Sequence, residues 1–271
     1  MQIFATYTGP DFLTFYAIML ATSAALGLWL PAFLRPEGRL REIDDPEELA
    51  VLAGGAPRHT LVILTDLMVQ NALQPSGKAR ITVARTSADT GQAGAAILRK
   101  VGAFSLSDAA RTISDHAAAI AADLARRGLL MDKSEWLQLR LFAIAPFALL
   151  LVLGIYRQQA GSAVGEPTGY LIAMMVVTIL FAALRWGTVG QRTRAGNQVL
   201  TNWVKRSSRL KRAPQGHETA LAVGLFGTGV LAGTPLSHLH AMKQAGSGDA
   251  GSGGDGDGGG GCGGGCGGCG G

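Results

Sequence analysis

The longest uncharged stretch of the chain, residues 12–34, most constrains what this protein can fold into. Its 23 residues carry no charged side chain, and the run ends at Arg35. A helix needs about 20 apolar residues to cross the hydrocarbon layer of a membrane. Residues 1–11 contain no Lys or Arg, and Asp11 stands where a cleavable signal peptide carries positive charge. We therefore predict a retained transmembrane helix over residues 12–34.

Two further apolar runs lie in the second half of the chain. Residues 141–156 are flanked by Arg140 and Arg157, and residues 168–184 end at Arg185. Turn-forming residues separate the two runs. Only 16% of the residues are charged, whereas soluble domains contain about 25%. We predict transmembrane helices over residues 138–156 and 168–186, joined by a short extracytoplasmic loop over residues 157–167.

The distribution of Lys and Arg predicts the orientation in the membrane. Residues 35–140 hold 14 of the 24 basic side chains and residues 185–271 hold nine, while residues 157–169 hold one and residues 1–34 none. Three spans place all but one of them on one side, and the positive-inside rule makes that side the cytoplasm. The sequence therefore predicts a multi-pass protein of the bacterial inner membrane whose N-terminal residues 1–11 lie outside and whose C-terminus is cytoplasmic.

Residues 187–245 form a predicted basic cytoplasmic segment with one ambiguous stretch. The basic side chains between Lys205 and Arg212 are placed to contact anionic lipid headgroups. Residues 220–236 carry no charge, and Gly229 and Gly233 have the small-residue spacing of packed membrane helices. The stretch is short and glycine lowers helix propensity. Residues 220–236 are thus either membrane-associated, even a fourth span, or a flexible segment, and the choice decides which compartment the chain end faces.

The segment between the first two spans, residues 35–137, is long enough for a small cytoplasmic domain. Asp45 followed by Pro46 predicts a helix start, and Gly54 and Gly55 predict its end. A second helix is expected from Pro57 to Asn71, followed by a short strand within residues 77–84 and a later helix capped by Ser107. Helix, helix and strand in this order predict a mostly helical, winged-helix-like domain.

The two halves of this domain match at an offset of 57 residues. His59 aligns with His116, Asp66 with Asp123, and Asn71 with Gly128. The match indicates either a duplication or two amphipathic helices with similar ends. Neither histidine has a His or Glu companion at i+4, so we interpret both as helix-surface or interfacial residues. The candidate recognition helix, residues 57–70, offers only Arg58 and His59 as cations, which disfavours nucleic acid as a partner.

Motifs of the common enzyme classes are missing from the folded part of the sequence. It contains no G-x-S-x-G, Walker loop, H-E-x-x-H or C-x-x-C pattern. We therefore predict a protein that is not an enzyme and assign no catalytic or cofactor-binding residues. Any cofactor is unknown from the sequence.

The C-terminal tail, residues 246–271, contains all three cysteines, namely Cys262, Cys266 and Cys269. Seventeen of its 26 residues are glycine. Glycine provides no side-chain surface to bury, so we expect a disordered tail with exposed thiols. Such thiols bind soft metal ions such as Zn²⁺ or Cu(I), with His238 or His240 as a further ligand, or serve as substrates of a cysteine-modifying enzyme. A low-complexity tail without a specific role stays the alternative.

A family resemblance rests on four features of the sequence. These are the N-terminal span, the Asp45-to-Gly55 helix start and stop, the repeat that ends at Gly128, and the membrane hairpin with its Gly/Cys-rich end. The chain resembles an uncharacterised bacterial membrane-protein family that shares a conserved domain of unknown function and such tails. The resemblance implies an architecture and no catalytic residues.

Together these features predict a non-enzymatic membrane-anchored protein, with the lipid bilayer as a partner. It would present a flexible thiol-bearing tail for metal binding or cysteine modification, with Cys262, Cys266 and Cys269 as metal ligands. The alternative is a membrane-tethered winged-helix regulator or sensor.

Overall fold

The computed structural model describes residues 9–77, 79–164, 169–212, 214–216 and 218–249. Within these ranges the chain is mostly helical, with ten α-helices and a single two-stranded sheet. Three of the helices are long and apolar enough to cross a membrane. The other seven belong to a helical domain at one end of the long helices. The predicted mostly helical fold with three candidate spans is therefore confirmed.

The helices follow one another along most of the described chain. Short 3₁₀ turns cover Ser208–Lys211 and Thr228–Leu231, and strands β1 and β2 cover Leu73–Pro75 and Ile81–Val83. The α-helices in chain order are α1 (Gly9–Leu34), α2 (Pro46–Val69), α3 (Gln92–Leu98), α4 (Leu106–Thr112), α5 (Ser114–Arg126), α6 (Lys133–Val164), α7 (Gly169–Thr188), α8 (Arg194–Arg206), α9 (Glu218–Phe226) and α10 (Ser237–Asp249).

Helices α1, α6 and α7 pack against one another as a three-helix bundle. Tyr16, Phe147 and Leu171 are buried at its centre. The Tyr16 hydroxyl lies 3.1 Å from the Thr178 hydroxyl, so these two buried polar groups satisfy each other. Helix α6 is longer than the predicted 138–156, because an apolar run marks only the apolar part of a helix, whereas the backbone hydrogen bonds continue into polar residues at both ends.

The helical domain is assembled from both sides of the α6–α7 hairpin. Helix α2 is its centre and contacts α5 from the segment before the hairpin and α8 and α9 from the segment after it. Leu52, Leu124 and Val199 share one cluster, whereas Leu64 and Leu231 belong to another. The domain predicted for residues 35–137 is thus only part of the observed unit, which also contains residues 189–249.

Helix α2 begins and breaks where the sequence predicts. The Asp45 carboxylate accepts a hydrogen bond of 2.9 Å from the Glu47 backbone N–H, and Pro46 occupies the first turn. Gly54 and Gly55 leave the helical conformation, with φ at +67° for Gly55. The helix resumes at once in a new direction, since Pro57 fits a first helical turn.

The end of α2 leads into a β-hairpin. Asn71 adopts a φ of +56°, and the Ala72 N–H donates to the Leu67 carbonyl at 2.9 Å. Strands β1 and β2 then pair antiparallel with Leu73 opposite Val83, and Ile81 also bridges Phe104. The strand predicted within 77–84 is confirmed over three residues, but its partner β1 had no alternating pattern to reveal it. The structure does not confirm a winged-helix fold.

The end of α5 repeats the end of α2 at the 57-residue offset. Gly128 has a φ of +78°, and the Leu129 N–H donates to the Leu124 carbonyl at 2.9 Å. A residue with positive φ after the last turn is a common helix C-cap. After the cap the two segments diverge, because β1 follows α2 whereas α5 leads towards α6. The observed likeness is therefore local to the helix ends.

The N-cap of α4 is Ser105, not the predicted Ser107. The Ser105 hydroxyl accepts a hydrogen bond from the Asp108 N–H at 3.2 Å, and the Ser105 N–H donates to the Asp108 carboxylate at 3.1 Å. These reciprocal bonds form a capping box, and Asp108 is its third helical residue. The Ser-x-x-Asp spacing identifies the cap, whereas the simple adjacency of Ser107 and Asp108 does not.

We expect Ser105→Ala to destabilise the domain by about 1 kcal/mol, because it leaves a helix N-terminal N–H without its acceptor. Ser107→Ala, at an exposed neighbouring hydroxyl, should change stability by less than about 0.5 kcal/mol. Thermal unfolding of the two purified variants measures the difference. Equal effects would contradict the assignment of the cap.

The hydrogen bonds from Ser105 also lower the pKa of the Asp108 carboxyl. The stabilisation from the ionised Asp108 is therefore fully present above the pKa of an unfolded Asp. It is lost as the pH falls through the lower pKa of Asp108 in the folded protein.

The ambiguous stretch 220–236 lies in the helical domain. Helix α9 packs along α2, and Ala222, Val223 and Leu231 are fully buried. The three candidate spans of the described residues do not include this stretch. Helix α9 has no exposed residue and needs no polar face, so its sequence is as continuously apolar as that of a short membrane span. This explains why the sequence alone could not exclude a fourth transmembrane span.

Candidate functional site

The three tail cysteines lie outside the described residues. Helix α10 is the last described element and ends at Asp249. Cys262, Cys266 and Cys269 follow it in the sequence. Among the described residues, no group of three His, Cys, Asp or Glu side chains is arranged to hold a metal ion. The cysteines therefore remain the predicted metal ligands of this chain.

His238 and His240, considered as additional ligands, both make protein contacts on α10. His238 Nε2 lies 2.9 Å from the Gly77 carbonyl oxygen at the β-hairpin turn. His240 Nδ1 lies 3.1 Å from the Thr228 hydroxyl, and its Nε2 lies 3.0 Å from the Gln244 amide. A metal could bind His240 only after one of these contacts breaks. The two histidines thus help to attach α10 to the domain.

The aligned histidines His59 and His116 have different environments. His59 is fully buried, and its Nε2 lies 2.9 Å from the Glu47 carboxylate, which joins the two halves of α2 across the glycine break. His116 is half-buried on α5. The interfacial interpretation describes His59 well.

The aligned aspartates Asp66 and Asp123 bond within their own helices. Asp66 accepts a hydrogen bond from the Gln70 amide at 2.9 Å, and burial raises the pKa of its carboxyl. Asp123 accepts from Arg126 at 2.9 Å, and this bond lowers the pKa of its carboxyl. Both aspartates are therefore helix-surface residues whose hydrogen bonds are local.

The candidate recognition helix is the most enclosed helix of the domain. Residues 58–65 are all buried. The Arg58 guanidinium donates to the Val223 carbonyl at 3.3 Å and lies against Gly227. With Arg58 and His59 both inside the domain, this helix has no exposed face for a DNA groove.

The three helices of the bundle meet the domain at a single place, which we call the junction. It consists of residues 35–39, which follow α1, residues 128–132, which precede α6, and residues 189–195, which follow α7. Backbone hydrogen bonds join all three segments. Met131 donates to Gln191 at 2.8 Å, Thr193 to Leu129 at 3.1 Å, and Ala195 to Glu37 at 2.8 Å. The junction therefore couples the bundle to the domain.

Gly38 and Thr193 hold the junction together at its closest approach. The Thr193 hydroxyl donates to the Gly128 carbonyl at 2.9 Å and accepts from the Gly196 N–H at 3.1 Å. Gly38 has a φ of +73°, and a Cβ at this position would overlap the Gly128 carbonyl oxygen and the Thr193 hydroxyl. Only glycine fits this contact.

Four arginines surround the junction, and we call them the arginine cluster: Arg35, Arg185, Arg192 and Arg194. Arg194 donates to the Ala32 carbonyl at 2.9 Å, and Arg185 donates to the Gly27 carbonyl at 2.5 Å, so both bind α1 near its C-terminus. Arg192 donates to the Ala53 carbonyl at the break in α2. Cations near helix C-termini are stabilised by the helix dipole and the free carbonyls.

Arg35 has a different environment from the other three. Its Nε is buried and has no hydrogen-bond acceptor among the described residues. Burial lowers the pKa of Arg35, and the positive charges of Arg185 and Arg194 lower it further. Burial and the charges of Arg35 and Arg58 also lower the pKa of Arg192. Like charges have thus been brought together around Arg35.

Sequence reasoning missed this cluster as a unit. Arg35 and Arg185 do stand at the first position after an apolar run, which is a readable signal. Arg192 and Arg194 reach them only through the junction contacts, which no local pattern predicts. Two side chains of the basic region between Lys205 and Arg212 form surface ion pairs, with Arg206 3.7 Å from Glu42 and Arg209 2.6 Å from Glu218, and the contact of this region with lipid headgroups stays a prediction.

Comparison with known proteins yields no relative: no protein-family model, no curated protein and no solved structure matches the chain.

Proposed function

We propose that this protein is a non-enzymatic membrane anchor that presents a thiol-bearing tail on the side of its helical domain. The three-helix bundle is the anchor, and Cys262, Cys266 and Cys269 are the functional groups. They bind a soft metal ion, Zn²⁺ or Cu(I), or are substrates of a cysteine-modifying enzyme. The membrane is the inner membrane of a bacterial cell, with the domain and the tail in the cytoplasm and the N-terminus outside.

The distribution of exposed apolar side chains carries this proposal. Among the described residues, every large exposed apolar side chain lies on α1, α6 or α7, apart from Leu40 and Val101. Soluble monomers rarely expose apolar patches beyond a few hundred Å². A lipid bilayer covers such a belt without any further protein partner, and the mean hydropathy of 1.8 to 2.2 over the three helices fits that environment.

The connections of the bundle support a domain and tail on one side. α1 ends, α6 begins and α7 ends at the same junction, so the described start of α1 at Gly9, the end of α6 at Val164 and the start of α7 at Gly169 belong to the opposite end of the bundle. The domain contains α10, the last element before the tail. The basic side chains counted above lie almost entirely on the domain side, which the positive-inside rule assigns to the cytoplasm.

The close spacing of the three tail cysteines supports the proposed thiol chemistry. Three cysteines within eight residues act as one site, because glycine lets the chain fold back on itself and raises the effective concentration of each thiolate. A soft ion gains from all three sulfurs. A winged-helix regulator is disfavoured, because the helix that would read DNA is enclosed by the rest of the domain.

Replacement of all three cysteines by serine tests this function. The full chain and the triple variant are purified from membranes of the native host, and bound metal and the mass of the last peptide are measured. The wild type should carry bound Zn²⁺ or Cu(I), or a mass shift confined to that peptide, and the variant should lack it. Both should fractionate equally with the membrane, because the described bundle and domain are built from residues that precede the tail.

Matched controls separate the tail from the domain. His240→Gln alters the nearest candidate ligand outside the tail and should leave the metal load unchanged. Cys262→Ser alone should weaken metal binding without abolishing it. The proposal is wrong if the triple variant keeps the same metal load and mass pattern, since the cysteines then have no role. Loss of the triple variant from the membrane would instead assign a structural role to the tail.

A further inference from the structure

We infer that the arginine cluster at the junction binds a phosphate group, supplied by the headgroup of an anionic membrane lipid. Arg35 is the central donor, and Arg185 and Arg194 complete the positive site. This inference rests on the proposed membrane anchoring but does not depend on the chemistry of the tail.

The unsatisfied Nε–H group of Arg35 is the first observation. Its Nε is buried without an acceptor, although all five N–H groups of an arginine are strong donors. A buried donor without a partner is costly, and more so when it is charged. Since no acceptor in the described chain satisfies this group, a bound ligand with acceptor oxygens is the simplest way to offset that cost.

The charge balance around Arg35 is the second observation. Arg185 and Arg194 lie close enough to lower its pKa, and Arg192 lies beyond it towards the domain. Among the described residues, the ion pair at this cluster joins Arg194 to Glu37, whose exposed carboxylate is 3.9 Å away. A single exposed carboxylate at that distance contributes little against several positive charges. The site therefore favours an anion.

The position of the cluster along the bundle is the third observation. Arg185 and its neighbour Trp186 lie at the domain end of α7. The Arg140 guanidinium stacks on Trp136 at 3.6 Å and faces Trp186 at 5.2 Å. Tryptophan prefers the level of the lipid headgroups, and this pair marks that level. The arginine cluster thus lies where lipid phosphates are found.

The chemistry of the donors identifies the ligand class. Guanidinium groups match two oxygens of a phosphate with two parallel N–H bonds, which an ammonium group cannot do. A phosphodiester headgroup with net negative charge, such as that of phosphatidylglycerol, supplies both the oxygens and the charge. Inorganic phosphate has the same oxygens but does not remain at the membrane surface.

Lipid retention by the purified full chain tests the inference. The protein is delipidated in non-ionic detergent, incubated with phosphatidylglycerol or phosphatidylcholine, and analysed by native mass spectrometry. The wild type should retain phosphatidylglycerol in preference to phosphatidylcholine. Arg35→Gln should weaken that retention about tenfold, as expected for one charge-assisted donor. Arg35→Lys keeps the charge but loses the planar donor, so its retention of phosphatidylglycerol should lie between those of the wild type and Arg35→Gln. The Lys variant also tests the site if the Gln variant does not fold.

Arg111→Gln is the matched control, because it removes the same charge from an exposed position of the domain that lies outside both the arginine cluster and the basic segment. It should retain lipid as the wild type does.

A second experiment titrates the protein with inorganic phosphate alone and follows its thermal stability. If phosphate stabilises the wild type saturably and does not stabilise Arg35→Gln, the same site binds free phosphate. Equal retention by wild type, Arg35→Gln and Arg35→Lys, or equal retention of the two lipids, would overturn the inference. Alkaline extraction of membranes tests the membrane anchoring separately. A failure of the proposed anchoring can therefore be distinguished from a failure of the proposed phosphate site.

Discussion

Replacing Gly38 by alanine is expected to destabilise the folded protein by about 3 kcal/mol, which is the sum of backbone strain and overlap. The φ of +73° is disfavoured for alanine, and the added Cβ would overlap the Gly128 carbonyl and the Thr193 hydroxyl. For a chain of this size the loss corresponds to a decrease in melting temperature of roughly 6–12 °C. Thermal unfolding in detergent, followed by the fluorescence of the four tryptophans, measures it.

Gly77→Ala is the control for Gly38→Ala. Gly77 has nearly the same φ, +75°, but nothing lies within 4 Å of a Cβ built on it. Gly77→Ala should therefore lower the free energy of unfolding only by the backbone strain of about 1 kcal/mol. The difference between the two variants isolates the close approach at the junction. If both variants lost the same stability, the junction contact would not exist as described.

The second large effect concerns the segment that resembles a membrane span. Leu231→Asp is expected to destabilise the domain by about 4 kcal/mol or more, because it removes a fully buried leucine and buries a charge in its place. The adjacent Ala232→Asp, at an exposed position, should change stability by less than about 0.5 kcal/mol. Protease resistance and thermal unfolding of the two variants measure the contrast.

This neighbouring pair also discriminates between the two environments of residues 220–236. In a membrane span, residues 231 and 232 would lie at almost the same depth, and an aspartate at either would cost about 2.5–3.5 kcal/mol near the centre. In the domain, one side chain faces the core and the other faces water. Similar damage from both substitutions would place the segment in lipid and contradict the fold.

Much of the fold can be read from local features of the sequence. The three apolar runs predict the three long helices, Asp45 and Pro46 predict the start of α2, and Gly54 with Gly55 predicts its break. These features are readable because a membrane span, a cap and a helix break each depend on a few neighbouring residues. Asn71 and Gly128 likewise end their helices as predicted, with positive φ at both positions.

The parts that could not be predicted depend on contacts between distant segments. The domain includes α8 and α9, which follow the α6–α7 hairpin, and an apolar stretch has the same composition whether lipid or protein surrounds it. Arg35 and Arg194 are likewise far apart in the sequence, and only the junction brings their charges together. Of the candidate site, the cysteine tail was evident from composition alone, whereas the arginine cluster was not.

Accessibility of single cysteines tests the central claim of an anchored protein with its domain on one side of the membrane. In the triple-serine background, Ser162→Cys places a thiol at an exposed position near the end of α6, and Ser107→Cys places one on the domain surface. A membrane-impermeant maleimide applied to intact spheroplasts should label residue 162 and should label residue 107 only after permeabilisation. Labelling of residue 107 in intact spheroplasts, or equal labelling of both, would contradict the account.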